Sequence, residues 1–261
     1  MTVREGDWSN HPDRLAAARY SIGRSAALLV DWDGCLASGE ELLPGAGPFL
    51  RRYEDRVAIV SNNTTHLPED FVFALKRQGV RIPAERVVLA GREALHQAIG
   101  AAPSGQALVL ANARMRTLAK ASGLQPHSDS PEVVVLLRDT DFSYERLQQA
   151  ADALCSGARL IVGNPDLTHP GRNGLAVPET GALLAALSAT VDLEKIQCSI
   201  IGKPQPALFQ RALAAMGVAA ANAVMIGDNP STDGAGAAAL GMDFVLVGRQ
   251  PGVSLAALLQ R

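Results

Sequence analysis

Short, continuous apolar runs alternate with longer segments of helical periodicity along almost all of the 261-residue chain. Strands that are buried on both faces read as unbroken apolar runs, and their alternation with helices is typical of βαβ units around a parallel sheet. The sequence therefore predicts an α/β fold. The predicted strands are 26–30, 57–60, 87–89, 107–110, 133–137, 160–162, 199–201, 223–226 and 244–247.

The middle of the chain differs from its two ends. Between residues 90 and 190 the polar segments after the predicted strands carry fewer paired reactive side chains than those on either side. Glycine and proline cluster at 163–178. We interpret this block as a second domain inserted into the first. The expected boundaries are 1–88 for the first part of the core domain, 89–191 for the inserted domain and 192–261 for the second part of the core.

Composition and charge exclude several classes of protein. Hydrophobic residues make up 48% and charged residues 19%, which excludes a disordered or fibrous chain. Twenty-four Lys and Arg against 26 Asp and Glu leave a formal net charge of -2, so the basic surface of a nucleic-acid-binding protein is not expected. The polar N-terminus carries no apolar targeting segment, and no apolar run reaches the ~18 residues of a membrane span. We therefore expect a cytoplasmic protein that binds neither nucleic acid nor membrane.

Polar residues directly after the predicted strands are the first candidates for a site, because ligands of open parallel sheets bind outside the carboxyl ends of the strands. Two carboxylates separated by one residue follow the first strand, and short hydrogen-bonding side chains follow the second. A lysine follows the strand 199–201, and two more carboxylates stand where the strand 223–226 gives way to a helix. These residues are Asp31 and Asp33, Ser61, Asn62 and Asn63, Lys203, and Asp228 and Asp233.

This set of side chains suits a phosphate monoester. A carboxylate nucleophile is repelled by a dianionic phosphoryl group unless a lysine and a divalent cation offset the charge. Mg²⁺ prefers hard oxygen ligands, which Asp31 and Asp228 supply. Taken singly, each segment has a simpler explanation: a turn for Asp-Trp-Asp, a solvated position for Lys203, and helix capping for the others. Their occurrence at the ends of four predicted strands favours a shared site.

These segments resemble the haloacid dehalogenase (HAD) superfamily of hydrolases, and within it the NagD-like phosphatases. The resemblance rests on DWDG at 31–34, SNNTT at 61–65, GKPQPALF at 202–209 and GDNPSTDGAGAAALGM at 227–242. In the middle block, DTDFSYERL at 139–147, NPD at 164–166 and PETGALLAAL at 178–187 are similar to the cap of that group. The resemblance implies a Rossmann-like parallel-sheet core formed from both ends of the chain, with an inserted α/β cap domain as a lid.

The resemblance also implies roles for the aspartates. Asp31 would be the nucleophile that forms an aspartyl-phosphate. Asp33 would protonate the leaving alcohol and then deprotonate the attacking water. Asp31, the backbone carbonyl of Asp33, and Asp228 would hold Mg²⁺. Asp233 would act from outside the ligand set, by positioning Lys203 or a metal-bound water.

The implied substrate is a small phosphorylated metabolite. Ser61 and the neighbouring amides, with Asn62 and Asn63, would bind phosphoryl oxygens, and Lys203 would neutralise the phosphate and steady Asp31. Nucleoside monophosphates, sugar phosphates, pyridoxal 5'-phosphate and phosphoglycolate are all used within the resembling group. In the cap, Arg138 or Arg172 would meet an anionic part of the substrate or else be solvated. Caps of this type also suggest a homodimer, by analogy.

Cys35 departs from the family pattern, in which threonine is usual. It is either a small buried hydrophobe or a thiol that makes the enzyme sensitive to oxidants. With Cys155 and Cys198 it completes an odd set of cysteines without the spacing of a disulfide framework or a zinc site. This usage fits a reduced compartment.

Two other functions share parts of the pattern. A receiver-like regulatory protein would accept phosphate on Asp31 as a signal, with slow turnover or none, but Asp33 and the large inserted domain argue against it. Dehalogenase chemistry on the same fold does not need the pairing of Asp33 with magnesium. The predicted function is therefore a magnesium-dependent phosphatase, with a non-catalytic or slow phosphoacceptor as the alternative.

Overall fold

Strands and helices alternate through the computed structural model, which describes residues 11–39, 41–170, 175–248 and 252–260. The helices are α1 Pro12–Arg24, α2 Ala46–Tyr53, α3 Pro68–Lys76, α4 Ala90–Ala101, α5 Ala113–Ala121, α6 Tyr144–Cys155, α7 Thr180–Ser188, α8 Pro206–Met216, α9 Ala235–Ala239 and α10 Leu255–Leu259. The strands are β1 Ala27–Val30, β2 Ala37–Ser38, β3 Glu41–Leu42, β4 Val57–Ser61, β5 Val87–Leu89, β6 Ala107–Leu110, β7 Val133–Leu136, β8 Arg159–Val162, β9 Thr168–Pro170, β10 Ala176–Pro178, β11 Cys198–Ile200, β12 Ala223–Gly227 and β13 Asp243–Leu246. The predicted α/β class is confirmed. No helix in the described ranges is both long and apolar enough to cross a membrane.

The chain divides into two compact units. Unit 1 comprises the described residues of Met1–Ser61, Pro68–Val88 and Lys203–Arg261. Unit 2 comprises those of Asn62–Leu67 and Leu89–Gly202. Unit 2 is therefore inserted into unit 1 in two pieces, the first of them very short.

Unit 1 is built on a five-stranded sheet in the order β13-β12-β1-β4-β5. β1 lies between β12 and β4 and is parallel to both, with Leu28 opposite Val224 on one side and Val57 on the other. β1, β4 and β12 are buried along their whole length, as expected of strands covered on both faces. From β1 the chain continues to one side of the sheet and later returns to the other, so the carboxyl end of β1 is where such sheets bind ligands.

Unit 2 has its own parallel sheet of four strands, in the order β11-β8-β7-β6. Side chains of β7, α6 and α7 form a core cluster that includes Leu136, Leu154 and Leu187. β9 and β10 pair separately as an antiparallel ladder. The inserted unit is thus a second α/β layer structure with its own core.

The units differ from the sequence-based boundaries in two places. Residues 192–202, expected in the core domain, belong to unit 2, because β11 pairs in parallel with β8 and places Ser199 opposite Ile161. Residues 62–67, also expected in the core domain, belong to unit 2 as well. A short apolar run shows that a strand forms but does not show which sheet it joins, because strand pairing is made by residues distant in sequence.

Candidate active site

The carboxyl ends of three neighbouring strands in unit 1 each carry a residue predicted for the site. Asp31 directly follows β1, Ser61 ends β4, and Asp228 directly follows β12. All three residues are buried. Because β1 lies between the other two strands, the sheet brings these side chains to one edge.

Lys203 joins this edge from the segment before α8. Its ammonium nitrogen lies 2.5 Å from Oδ1 of Asp31 and 2.7 Å from Oδ1 of Asp233. It also donates a hydrogen bond of 3.0 Å to the backbone carbonyl of Val60. Only 3% of the Lys203 side chain is exposed, so these oxygens replace water around its charge. The Val60 carbonyl is a site group that the sequence did not reveal, since any residue type supplies one.

Burial and charge act in opposite directions on this pair. Burial lowers the pKa of Lys203, but the carboxylates of Asp233 and Asp31 more than offset that effect, and its pKa lies above the ordinary value. Burial raises the pKa of Asp31 well above its ordinary value, and the Lys203 ammonium opposes the rise. Lys203 is therefore charged at neutral pH and stabilises the ionised form of Asp31.

Asp31, Asp228 and Asp233 form a cluster that could hold a metal ion. One carboxylate oxygen from each lies within 4.8 Å of the other two, and all three residues are buried. Of these three buried carboxylates, the Lys203 ammonium lies beside those of Asp31 and Asp233, and a divalent cation would supply further positive charge. Carboxylate oxygens are hard ligands of the kind that Mg²⁺ prefers. The donor set fits the implied ion.

The loop after β1 approaches Asp228 closely because residue 34 is glycine. Gly34 has a φ of +82°, and a Cβ at this position would lie 2.5 Å from Oδ2 of Asp228. In the same loop, the ring of Trp32 packs edge-on against Phe71 with 4.6 Å between ring centroids. The glycine of the DWDG motif is thus required by a close approach as well as by backbone conformation.

Asp33 and Ser61 differ in exposure although they are neighbours. Asp33 is exposed, whereas Ser61 is fully buried. The Ser61 hydroxyl donates a long hydrogen bond of 3.4 Å to Oδ2 of Asp33. An exposed carboxylate exchanges protons readily with solvent, which suits the acid and base role expected of Asp33.

Asn62 and Asn63 belong to unit 2, unlike the other predicted site residues. The Asn62 amide donates a hydrogen bond of 2.9 Å to Oδ2 of Asp166. Oδ1 of Asn63 accepts from the backbone N–H groups of Thr65, at 3.0 Å, and His66, at 2.8 Å. Both side chains thus hold the turn that follows Ser61, and their contact with substrate stays a prediction.

In unit 2, Arg138 is partly exposed and lies beside a glutamate. Its Nη1 lies 3.5 Å from Oε1 of Glu179, and Nδ1 of His169 lies 2.7 Å from the same oxygen. The sequence did not single out Glu179, because one acidic residue ahead of a helix has no distinctive pattern. Arg172 lies outside the described residues.

Cys35 is a buried side chain whose thiol faces the backbone. It is 3% exposed, and its Sγ lies 3.7 Å from the carbonyl oxygen of Ile226. Burial raises the pKa of this thiol well above its ordinary value, and the carboxylate of Asp31 raises it further. The thiolate, which is the reactive form, is therefore suppressed. Of the two interpretations of Cys35, the structure favours the small buried hydrophobe.

We expect a thiol reagent such as 5,5'-dithiobis(2-nitrobenzoate) to label Cys155 and Cys198 in the native protein and to spare Cys35, because only the first two are exposed. Denaturant should release the third thiol. Mass spectrometry of the labelled peptides identifies the cysteines. Labelling of native Cys35 as fast as Cys155 would contradict this assignment and favour an oxidant-sensitive site.

Comparison with known proteins identifies the family of the chain. Residues 28–125 match the family model described as haloacid dehalogenase-like hydrolase, and residues 200–260 match a related HAD hydrolase-like model. The chain is 32% identical over 222 residues to a dihydroxyacetone phosphatase of Corynebacterium glutamicum (strain R), covering 84% of this chain and 79% of the relative. It is 31% identical over 235 residues to chronophin of Mus musculus, covering 84% and 80%. The crystal structure of a 4-nitrophenylphosphatase from Thermotoga maritima is similar with a TM-score of 0.78 and 27% identity, covering 87% of each chain.

These matches show the family: the chain belongs to the haloacid dehalogenase-like hydrolases. The buried lysine among carboxylates at the strand ends of a parallel sheet, and the inserted second unit, are consistent with that family. Within that family it is a phosphoric monoester hydrolase of the NagD-like group. The resemblance and the enzyme class inferred from the sequence are therefore confirmed.

Proposed function

We propose that this phosphatase hydrolyses a small phosphorylated metabolite with Mg²⁺ as cofactor, through an aspartyl-phosphate on Asp31. The observation that carries the proposal is the buried Asp31 carboxylate, held 2.5 Å from the Lys203 ammonium within a cluster of further carboxylates. A nucleophilic carboxylate needs both charge compensation and a fixed orientation, and Lys203 provides them.

The first half-reaction transfers the phosphoryl group to the protein. A carboxylate oxygen of Asp31 attacks phosphorus, the bond between phosphorus and the leaving oxygen breaks, and Asp33 donates a proton to that oxygen. Exposure of Asp33 and its position two residues from Asp31 support this role. The products are the free alcohol and phosphorylated Asp31.

The second half-reaction restores the protein. Water attacks phosphorus while the ionised Asp33 takes its proton, and the bond between phosphorus and the Asp31 oxygen breaks. Orthophosphate leaves, Asp31 is a carboxylate again, and Asp33 again carries the proton. Each group that was changed in the first step is returned, so the cycle is balanced.

The remaining residues bind the phosphoryl group and the ion. Ser61 and the amides that follow it hold phosphoryl oxygens, and Lys203 offsets the charge that gathers on them. Asp31, Asp228 and the backbone carbonyl of Asp33 hold Mg²⁺, which when bound neutralises charge on the phosphoryl oxygens. Asp233 positions Lys203, as its 2.7 Å approach to the ammonium supports.

The substrate class is a small phosphate monoester, and a triose phosphate is a first candidate because the Corynebacterium relative is named a dihydroxyacetone phosphatase. A panel of phosphorylated metabolites that includes sugar phosphates and nucleoside monophosphates tests this choice. The homodimer through the inserted unit stays a prediction that sedimentation tests.

Magnesium dependence is the first test. The purified protein should hydrolyse p-nitrophenyl phosphate with Mg²⁺ and lose at least about a hundredfold in rate in EDTA, because the carboxylate cluster then repels the substrate. Added Mg²⁺ should restore the rate. Equal rates in EDTA and Mg²⁺ would contradict the metal assignment. A stable acyl-phosphate without turnover would favour the slow phosphoacceptor instead.

A further inference from the structure

The residues directly after Ser61 are contacted by residues that follow the carboxyl end of each strand in the four-stranded sheet of unit 2. Segment 62–65 belongs to unit 2, and residues two positions beyond the ends of β6, β7, β8 and β11 contact it. Along the sheet order β11-β8-β7-β6, the contacts pass from Asn62 to Thr64 to Thr65. They are Gly202 and Asn164 with Asn62, the Arg138 backbone N–H with the Thr64 hydroxyl at 3.1 Å, and the Asn112 amide with the Thr65 carbonyl at 3.1 Å.

Segment 62–65 therefore crosses the carboxyl edge of the unit 2 sheet. This edge is where a parallel sheet ordinarily binds a ligand. In unit 2 the protein's own chain lies there. The carboxyl edge of this sheet therefore binds segment 62–65. The first residue of the segment, Asn62, directly follows Ser61 in the chain.

Asn62 is the most tightly held residue of the segment. Asn164 donates from its amide to the Asn62 carbonyl at 2.8 Å, and the Asn62 amide donates to Oδ2 of Asp166 at 2.9 Å. Oδ1 of Asn164 in turn accepts from the backbone N–H of Asp166 at 2.9 Å. Both the main chain and the side chain of Asn62 are therefore anchored, and Asn164 is buried.

The Asn62 side chain is sterically confined as well as hydrogen-bonded. A Cβ at Gly202 would lie 2.8 Å from Oδ1 of Asn62. The carboxamide of Asn62 is thus confined between Gly202 and Asp166. Its bonding and its confinement fix the backbone of Asn62, and with it the direction of the N–H group that follows Ser61.

We propose that Asn164 and Asp166 are positioning residues that orient the phosphate-contacting turn after Ser61. The proposal rests on the proposed function in one respect, the assignment of Ser61 and its following amides to phosphoryl oxygens. The Asn62 side chain acts as an anchor to Asp166 rather than as a ligand of the substrate. Loss of this anchor weakens phosphate binding more than it slows the chemical step.

The bond between Asn62 and Asp166 is tested from both sides. Asp166→Ala and Asn62→Ala should each raise KM for p-nitrophenyl phosphate and the inhibition constant of orthophosphate about fivefold, as expected for one hydrogen bond, with kcat within about threefold. The double variant should match either single variant, because all three lack the same bond. Asp166→Asn keeps an acceptor oxygen and should stay within about twofold of the wild type.

Hydrogen exchange gives a readout that needs no turnover. A peptide covering residues 61–67 should exchange about fivefold faster in Asp166→Ala and Asn62→Ala, while peptides from β1 keep their protection. Asp192→Ala is the matched control, because it removes an aspartate cap elsewhere in unit 2 and should change neither binding nor exchange at 61–67. The second variant keeps the test decisive if one of the two fails to fold.

Unchanged KM, inhibition constant and exchange in Asp166→Ala would overturn the proposal. Additive losses in the double variant would also overturn it, because Asn62 would then contact the substrate directly. If the wild type fails to hydrolyse p-nitrophenyl phosphate, the proposed function fails. The exchange experiment still decides in that case whether Asp166 anchors the segment.

Discussion

Asp31→Asn is expected to lose turnover of p-nitrophenyl phosphate by roughly 10⁴-fold or more, because an amide is a far weaker nucleophile than a carboxylate. The change keeps the size of the side chain, so the buried cluster around it keeps its shape. The steady-state kcat in saturating Mg²⁺ is the measurement. Acid quenching during turnover should trap phosphate on the wild-type protein and none on the variant.

A control variant separates this result from a general effect of removing a carboxylate. Asp55→Asn makes the same chemical change at an exposed position of unit 1 and should leave kcat unaltered. Thermal unfolding shows whether Asp31→Asn is folded. A folded variant that retains even a tenth of the wild-type kcat would be incompatible with Asp31 as nucleophile.

Lys203→Met is expected to reduce kcat about 10²- to 10³-fold and also to destabilise the protein. The loss of rate follows because no ammonium then offsets the phosphoryl charge. The loss of stability follows because Asp31 and Asp233 are left buried without their partner, which typically costs about 3–5 kcal/mol. Urea denaturation in EDTA measures the free energy of unfolding without a metal ion to compensate.

The pH dependence of this deficit has a definite sign. Without Lys203 the pKa of Asp31 in the folded variant rises further, because the ammonium that opposed the effect of burial is gone. A folded pKa above the unfolded one favours folding at low pH and loses that advantage as pH rises through the folded value. The variant should therefore lie nearer to the wild type at pH 5 than at pH 8.

Lys195→Met is the matched control for Lys203→Met. Its side chain is 82% exposed and its ammonium lies 2.9 Å from Oδ2 of Asp192, so its removal should cost less than about 1 kcal/mol. Equal stability of Lys203→Met and the wild type in EDTA would show that the buried lysine does not compensate the carboxylates.

The site residues that could be predicted from the sequence are those that stand at the carboxyl ends of strands. Asp31, Ser61 and Asp228 follow buried apolar runs, and parallel strands necessarily present their carboxyl ends at one edge. Lys203 was selected by the same rule, but the apolar run before it is a strand of the other sheet, so the rule does not explain why Lys203 lies beside Asp31. Its place beside Asp31 is set by the segment that leads into α8, which no periodicity describes.

Contacts between residues distant in sequence account for what was not predictable. Asp166 meets Asn62 across 104 positions, and the NPD motif gave no sign of that partner. Strand β11 joins β8 through backbone hydrogen bonds that any residue makes, so the sequence-based boundary at 191 differs from the division between the compact units at 202/203. Glu179, between Arg138 and His169, was missed for the same reason, since pairing of charges depends on the fold and not on spacing.

The two-piece composition of unit 2 has a consequence for exchanging caps among relatives. The chain passes between the units at residues 61/62, 67/68, 88/89 and 202/203. A graft of 89–202 alone separates Asp166 from the Asn62 amide group and the Arg138 backbone N–H from the Thr64 hydroxyl wherever the recipient has other side chains at 62 and 64, and a polar group left without a partner is costly wherever water does not replace the bond. A transplant that carries residues 62–67 along keeps these partners together, and the transplanted segment then follows the recipient's own serine in the chain.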